Sequence, residues 1–471
     1  MKPPIIDQKK SEKKEEDLDK DVDWGVEIQL SEKRTSTFNT SSFWMHNAFN
    51  IWIIAGLLII FFLSFLVILL GWNLLTASHG FPQDFPKTQE VQLGTSKLAF
   101  KLLPLMAENN ANIIFSPLSL VIGLAMILEG SKGHTAEEIC SVLNWNPTTT
   151  FEIQNDLGFL LQGLNGNTDI YTKLYIGGNV FIQENFEITS KFNDQLKQNY
   201  ECVATEVNFV EEAEAREIIN TWVSKQTWGQ VRELVRPSQL DLTTRLLITT
   251  VMYFKGQWLH AFPKQNTFQA RFYVQPDDEA TVHMMHTTGN FNYGEFTKLG
   301  LQSLELPIDG NKLSLLLILP NKPGRLPEVR KVLQQNPEIL SELNGHMKNQ
   351  TLYICLPKFK IDGRLSLHRH LSKLGLKLLF DSKYADLSGI SSQNSLFVKE
   401  VVQSARLEVD EEGAEAAAAT EFVAAGRSLV YDQLPVFCAN HPFLFFLRDL
   451  ETNIILLMGQ YTDPRILEKK T

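Results

Sequence analysis

The residues with the clearest chemistry lie near the C-terminus, in EEGAEAAAATEFVAAGRSLV, Glu411 to Val430. Arg427-Ser428 is a bond that a trypsin-like protease cuts, because the primary pocket of such an enzyme holds a carboxylate that takes Arg or Lys. The chemistry on offer is that of a substrate, whose carbonyl another protein's nucleophile attacks. Gly426, just before it, breaks regular structure and sets the bond in a loop. Read as a strand, the preceding run places alternate residues on opposite sides. Ala414, Ala416, Ala418, Thr420, Phe422 and Ala424 form one class; Glu415, Ala417, Ala419, Glu421, Val423 and Ala425 form the other. The first class is uncharged and mostly small, so it can lie against a core while Glu415 and Glu421 face water. The same run is also a good surface helix by propensity, since Ala and Glu are strong helix formers.

Other reactive residue types are sparse. His283 and His286 in VHMMH, and His368 and His370 in HRH, have the spacing of metal ligands but no matching acidic or cysteine cluster, so structural roles are expected. No GxSxG, HExxH, P-loop or GxGxxG is present, and the chain is read as a non-enzyme; a hydrolase with a dispersed triad is the remaining catalytic reading. The net charge of -10 gives no support for nucleic-acid binding. Cys140, Cys202, Cys355 and Cys438 form no zinc pattern, and buried free thiols and disulfides both remain open.

The elements that must position the loop follow from the hydropathy pattern. Ile51 to Trp72 is uncharged, long enough to span a bilayer and flanked by Trp44, Trp52 and Trp72 at belt positions. It is read as a signal-anchor helix (51–72) in contact with lipid. Lys33 and Arg34 on its N-terminal side against Lys87 on the other favour a cytoplasmic N-terminus, hence a single-pass type II protein with a luminal or extracellular body. The alternative is a cleaved signal peptide ending at TAS before His79, which would make the protein secreted. Residues 1–50, eight Lys and Arg against ten Asp and Glu, read as a disordered cytoplasmic tail, and 73–89, with FPQDFPK, as a stem. From residue 90 the pattern is α+β: a helix in TSKLAFKLLPLMAENN, strands in LSLLLILP and TLYICLPKFKI, and two buried strands joined by RDLETN in His441 to Gly459. Asn349, in NQT, is a glycosylation sequon on the outer side; Asn39, in NTS, would be cytoplasmic and unmodified.

In order along the chain, IIFSPLSLVIGLAMILEGSKGHTAEEI, INTWVSKQTWGQVRELV, YFKGQW, VHMMH, LEVDEEGAEAAAAT and ANHPFLFFLRDLETNIILLMGQYTDP resemble the blocks of the serpins, inhibitors of serine proteases. The resemblance covers roughly residues 90–465 and implies three β-sheets and about nine helices around an exposed reactive loop. It also implies a mechanism: once cleaved, the loop inserts into a sheet and carries the acylated protease with it. A glutamate and a hinge glycine are expected sixteen and fourteen residues before the primary specificity residue, which makes them Glu411 and Gly413 if that residue is Arg427. The hinge would then comprise Ala414, Glu415, Ala416, Ala417, Ala418, Ala419 and Thr420. AGRSL is similar to the reactive site of the antithrombin group, which implies targets of thrombin, factor Xa or trypsin type. The fourth helix (Thr148 to Leu164) has no Lys or Arg, so heparin is not expected to bind there. By the same resemblance Ser116, Ser119, Thr250 and Gln403 form the shutter beneath the opening sheet, with Thr250 and Gln403 in place of the usual Asn and His, and Trp258 marks the breach at its top. A monomer without cofactor is implied, and a non-inhibitory carrier, chaperone or protease substrate is the alternative function.

Overall fold

The computed structural model describes residues 88–107, 111–166, 172–308, 310, 312–393, 396–411 and 434–468. The described residues all belong to one compact unit, 84–471. The tail, the 51–72 span and most of the stem lie outside them, as do residues 412–433 with Gly413 to Thr420, Arg427 and Ser428. Among the described residues no helix is long and apolar enough to cross a membrane.

The stem ends sooner than expected, because Thr88 already opens helix α1 (Thr88–Met106), which buries Leu98, Leu102 and Leu103. Strand β1 (Ile113–Phe115) passes through Ser116 into α2 (Pro117–Leu128), PLSLVIGLAMIL, which is apolar all round and wholly buried. Pro117 at the first helical position and the Ser116 hydroxyl, accepting from Ser119 N at 3.1 Å, fix its start. Then come α3 (Gly133–Leu143), α4 (Thr150–Asn165), β2 (Lys173–Gln183), α5 (Ser190–Tyr200), β3 (Thr205–Val207), α6 (Glu212–Gln226) and β4 (Leu246–Lys255). Strands β5 (Thr267–Gln275), β6 (Asp278–Phe296), β7 (Leu301–Pro307) and β8 (Leu313–Pro320) precede helices α7 (Leu326–Gln335) and α8 (Ile339–His346). The chain closes with β9 (Lys348–Pro357), β10 (Phe359–Ser366), α9 (His368–Lys373), β11 (Val398–Val409), β12 (Val436–Cys438), β13 (Phe443–Asp449), β14 (Ile455–Tyr461) and the short α10 (Arg465–Glu468).

Among the described residues the strands form two hydrogen-bonded sheets where three were expected. The reason is β6. Its first half pairs with β5, its middle with β9 and its end with β7, so one continuous strand fuses what would otherwise be two sheets into a nine-stranded one. The other sheet has five strands in the order β10-β11-β4-β2-β3. TLYICLPKFKI is two strands in different sheets, divided at Lys358: β9 pairs with β6 and β10 with β11. The expected helix, β8 and the β13–β14 pair are present. In the RDLETN turn the Asp449 carboxylate accepts from Thr452 N at 2.8 Å, and Asn453 takes the left-handed conformation. Helix α2 lies between the sheets, and α6 covers the outer face of the five-stranded sheet through Ile219, Val223, Leu247, Val251 and Val402.

Candidate functional site

The five-stranded sheet has a seam at its centre. Strands β11 and β4 run parallel, from Val398↔Leu246 to Leu407↔Phe254, while each pairs antiparallel with its outer neighbour, β10 and β2. Gln403 and Thr250 face each other across this seam. The Gln403 amide oxygen accepts from Ser116 N at 2.9 Å, and its Nε2 donates to Ser116 O at 2.8 Å, Ser119 Oγ at 2.9 Å and Thr250 Oγ1 at 3.3 Å. Ser116 Oγ donates to Leu456 O at 2.5 Å, which reaches the second sheet. All four residues are buried. A single amide thus ties β11, β4 and the start of α2 together with its polar atoms satisfied. Gly123 completes the fit, because a Cβ there would lie 2.6 Å from Thr250 Cγ2.

At the end where β11 leaves the sheet, the buried Trp258 donates its indole N–H to Asp410 O at 2.8 Å and packs edge-on against Phe262. The next residue, Glu411, takes Lys358 Nζ at 2.5 Å. Burial raises its carboxyl, but the hydrogen bonds from Lys358, the backbone and Thr267 together with the Lys358 charge outweigh it, and Glu411 is held below the usual carboxylate range. Lys358 sits at the crossing from β9 to β10, so this ion pair joins the exit of β11 to the point where the sheets diverge. The family resemblance singles out Glu411 and gives no sign of Lys358, whose role depends on that crossing.

Among the described residues β12, which follows Leu434, pairs with β9 alone, at the edge of the nine-stranded sheet. Here Cys438 is disulfide-bonded to Cys355, while Cys140 and Cys202 are free. Burial pushes their thiols up to about 11 and about 12, leaving them unreactive at neutral pH. A buried ion pair missed in the sequence joins Arg448 on β13 to Glu305 on β7, with Ser314 and Asn344 completing the cluster.

The remaining sequence candidates are dispersed. His286 hydrogen-bonds Tyr353 OH at 2.7 Å and stacks on Phe268, and His368 stacks on Phe380. Among the described residues no group of acidic, cysteine and histidine side chains could hold a metal. Asn349 is exposed on β9, where a loop would be usual for a sequon. Helix α4 carries Glu152 and Asp156 and no Lys or Arg, and exposes Phe151 and Phe159.

Comparison with known proteins agrees with this architecture. Residues 93–464 match the family described as Serpin (serine protease inhibitor). Serpin B6 of Pongo abelii is 33% identical over 369 residues, 78% of this chain and 97% of its own. The leukocyte elastase inhibitor of Homo sapiens is 31% identical over 385 residues, 80% of this chain and 100% of its own. Among solved structures, mouse protein-Z dependent protease inhibitor superposes with a TM-score of 0.73 at 26% identity, over 82% of this chain and 100% of that one. Human thyroxine-binding globulin gives 0.72 at 25% identity, over 80% and 99%. With the family matched over most of its length and such relatives covered nearly end to end, this chain belongs to the serpin family.

Proposed function

We propose that this protein is a membrane-anchored inhibitor that traps Arg-specific serine proteases, of trypsin, thrombin or factor Xa type, as covalent acyl complexes. One observation carries the reading: a parallel seam, β11 against β4, whose upper exit is fixed at Glu411 and continues directly into a run of small residues. A chain that leaves β11 and turns back between the two strands runs antiparallel to both. Insertion therefore replaces one parallel ladder with two antiparallel ones, which are the more stable per residue. The uncharged class from Ala414 to Ala424 suits the side that must enter the core.

The chemistry is the target's own. Its serine attacks the Arg427 carbonyl, the Ser428 amine departs, and the acyl ester leaves residues 413–427 free to insert. Fourteen steps at about 3.3 Å cover roughly 45 Å, so the protease is carried toward the far end of the sheet before water can release it. Trp258, Glu411 and Lys358 form the breach where insertion starts, and Ser116, Ser119, Thr250 and Gln403 the shutter that must part. Residues 51–72 hold this trap at the luminal or extracellular face of a membrane as a type II anchor, with Asn349 glycosylated on the same side; removal of the anchor would release it.

The test mixes residues 73–471 with trypsin and with thrombin and looks for a complex that survives boiling in detergent. Such a band, absent in Arg427→Ala, is the expected result. Clean cleavage after Arg427 with full protease activity remaining would refute the trap and favour the non-inhibitory reading.

A further inference from the structure

We propose that the Cys355–Cys438 disulfide is a redox-sensitive modification site, a lock that makes strand insertion conditional on cleavage of the loop. This rests on the insertion reading above. The observation behind it is the attachment of β12: three residues at a sheet edge, paired among the described residues with β9 alone through Val436↔Tyr353, Phe437↔Ile354 and Cys438↔Cys355. Edge pairing this short has few hydrogen bonds to break, although the buried Phe437 side chain adds packing against Tyr293. The disulfide makes it permanent.

Chain length decides what that permanence does. Strand β11 has 12 residues, which at about 3.3 Å each is roughly 40 Å. An insert of equal length starting at Gly413 ends at Ala424. Residues 425–435 then remain to return to β12, and the path from Ala424 to Val436, fully extended at no more than about 3.6 Å a step, reaches about 43 Å. The climb back takes roughly 40 Å of that and leaves almost nothing for the turn at Ala424 and the crossing to the edge of the other sheet, so the return does not close while β12 stays on β9. An intact loop can therefore insert fully only if β12 leaves, and the disulfide forbids it. Once Arg427-Ser428 is cut, the insert is no longer joined to β12 and the lock has no effect.

Reduction removes the lock. Cys438 is the more exposed partner, since Cys355 is buried. The thiolate of a dithiol reductant attacks Cys438 Sγ, the S–S bond breaks, and Cys355 departs as a thiolate that takes up a proton. The reductant's second thiol then displaces Cys438, leaving two protein thiols and the reductant as its cyclic disulfide.

The full-length protein in detergent is incubated at body temperature with and without dithiothreitol. Residual capacity to form the trypsin complex, intact mass and melting temperature are followed together. The lock predicts that reduced protein loses capacity at least about tenfold faster, a barrier difference of about 1.4 kcal/mol, while uncut and while gaining heat stability. The double variant Cys355→Ser, Cys438→Ser should behave the same way without reductant. Equal lifetimes for oxidised and reduced protein, with trypsin-cleaved samples of both melting higher than uncut ones, would overturn the lock and leave insertion standing. Loss of capacity accompanied by a lower melting temperature would also overturn it, as ordinary unfolding. If cleavage raises the melting temperature of neither form, insertion itself fails and the lock with it.

Discussion

Replacing Gln403 with leucine tests how the seam is held shut. Leucine fills nearly the same volume, so the cavity contribution is small and the change isolates the amide. Two buried groups lose the partner they have among the described residues: Ser116 N–H, bonded to the Gln403 oxygen, and the Thr250 hydroxyl, bonded to Nε2. Ser116 O keeps Leu120 N at 3.2 Å, and Ser119 keeps its bond to Ser116 O. At about 1 to 3 kcal/mol for each orphaned group, the loss is about 2 to 6 kcal/mol. Unfolding entropy near 2.1 cal/mol/K per residue, over roughly 370 residues, gives about 0.8 kcal/mol/K. The melting temperature of the uncleaved Gln403→Leu protein should therefore fall by about 3 to 8 °C, read by calorimetry. The deficit should shrink after loop cleavage, when insertion separates Gln403 from Thr250. A melt within about 1 °C of the parent would refute the argument that this amide ties β11 to α2.

Two further changes probe the packing around the site. Arg448→Met leaves Glu305 buried without its cation and should cost about 3 to 5 kcal/mol in urea unfolding. Burial raises Glu305, but Arg448 and the surrounding hydrogen bonds hold it below its ordinary 4.5. Its contribution in the parent is therefore full above that value and lost as the pH falls through the lower folded one. In Arg448→Met the charge and hydrogen bond of Arg448 are gone and only the Asn292 and Ser314 hydrogen bonds oppose burial, so the Glu305 pKa moves up and this acid loss of stability should shrink; urea midpoints across that range check it. Gly123→Ala pushes a methyl against Thr250 Cγ2 and should lower stability by about 1 to 3 kcal/mol. Thr250→Ser, which deletes that Cγ2, should restore part of the loss, and independent effects in the double-mutant cycle would refute the contact.

Legibility in the sequence followed the range of the interactions involved. Strand β8 and the β13–β14 pair rest on local periodicity and could be read directly, whereas the spacing from Glu411 to Arg427 came from the family resemblance, and its loop lies outside the described residues. The break at Lys358 was missed because alternation with period 2 continues through Pro357 and carries no mark of which sheet receives each half. The Glu411 partner and the fused nine-stranded sheet were hidden for the same reason. Cys355 and Cys438 are 83 residues apart, and only the parallel pairing of β9 with β12 brings them together, so four cysteines in a row of letters left the choice open. Arg448 lies in FLFFLRD, where an arginine at the end of an apolar strand reads as a turn residue until Glu305 is found opposite it. By contrast Ser116, Ser119, Thr250 and Gln403 were reached through resemblance to a family, and their hydrogen-bonding could not have been derived from spacing alone.

The seam is restrained on both faces, which bears on how fast any insertion can run. Beneath it the Gln403 amide bridges to α2 and Thr250. Above it the segment after α6 spans both lips: Arg406 of β11 donates to Gln230 O at 2.6 Å and Arg364 of β10 pairs with Glu233 at 2.8 Å, while Trp228 packs on Tyr253 of β4 at 5.9 Å. Helix α6 itself packs through Val402 on one lip and Val251 on the other. Parting β11 from β4 must break the Gln403–Thr250 bond and slide α6 and its following segment off one lip. These contacts are few beside the two antiparallel ladders an inserted strand would form, so they set a barrier and leave the final balance to the ladders. Weakening them should therefore speed insertion with or without cleavage, whereas opening the disulfide should speed only the uncleaved route. That difference separates a restraint on the sheet from a restraint on the loop.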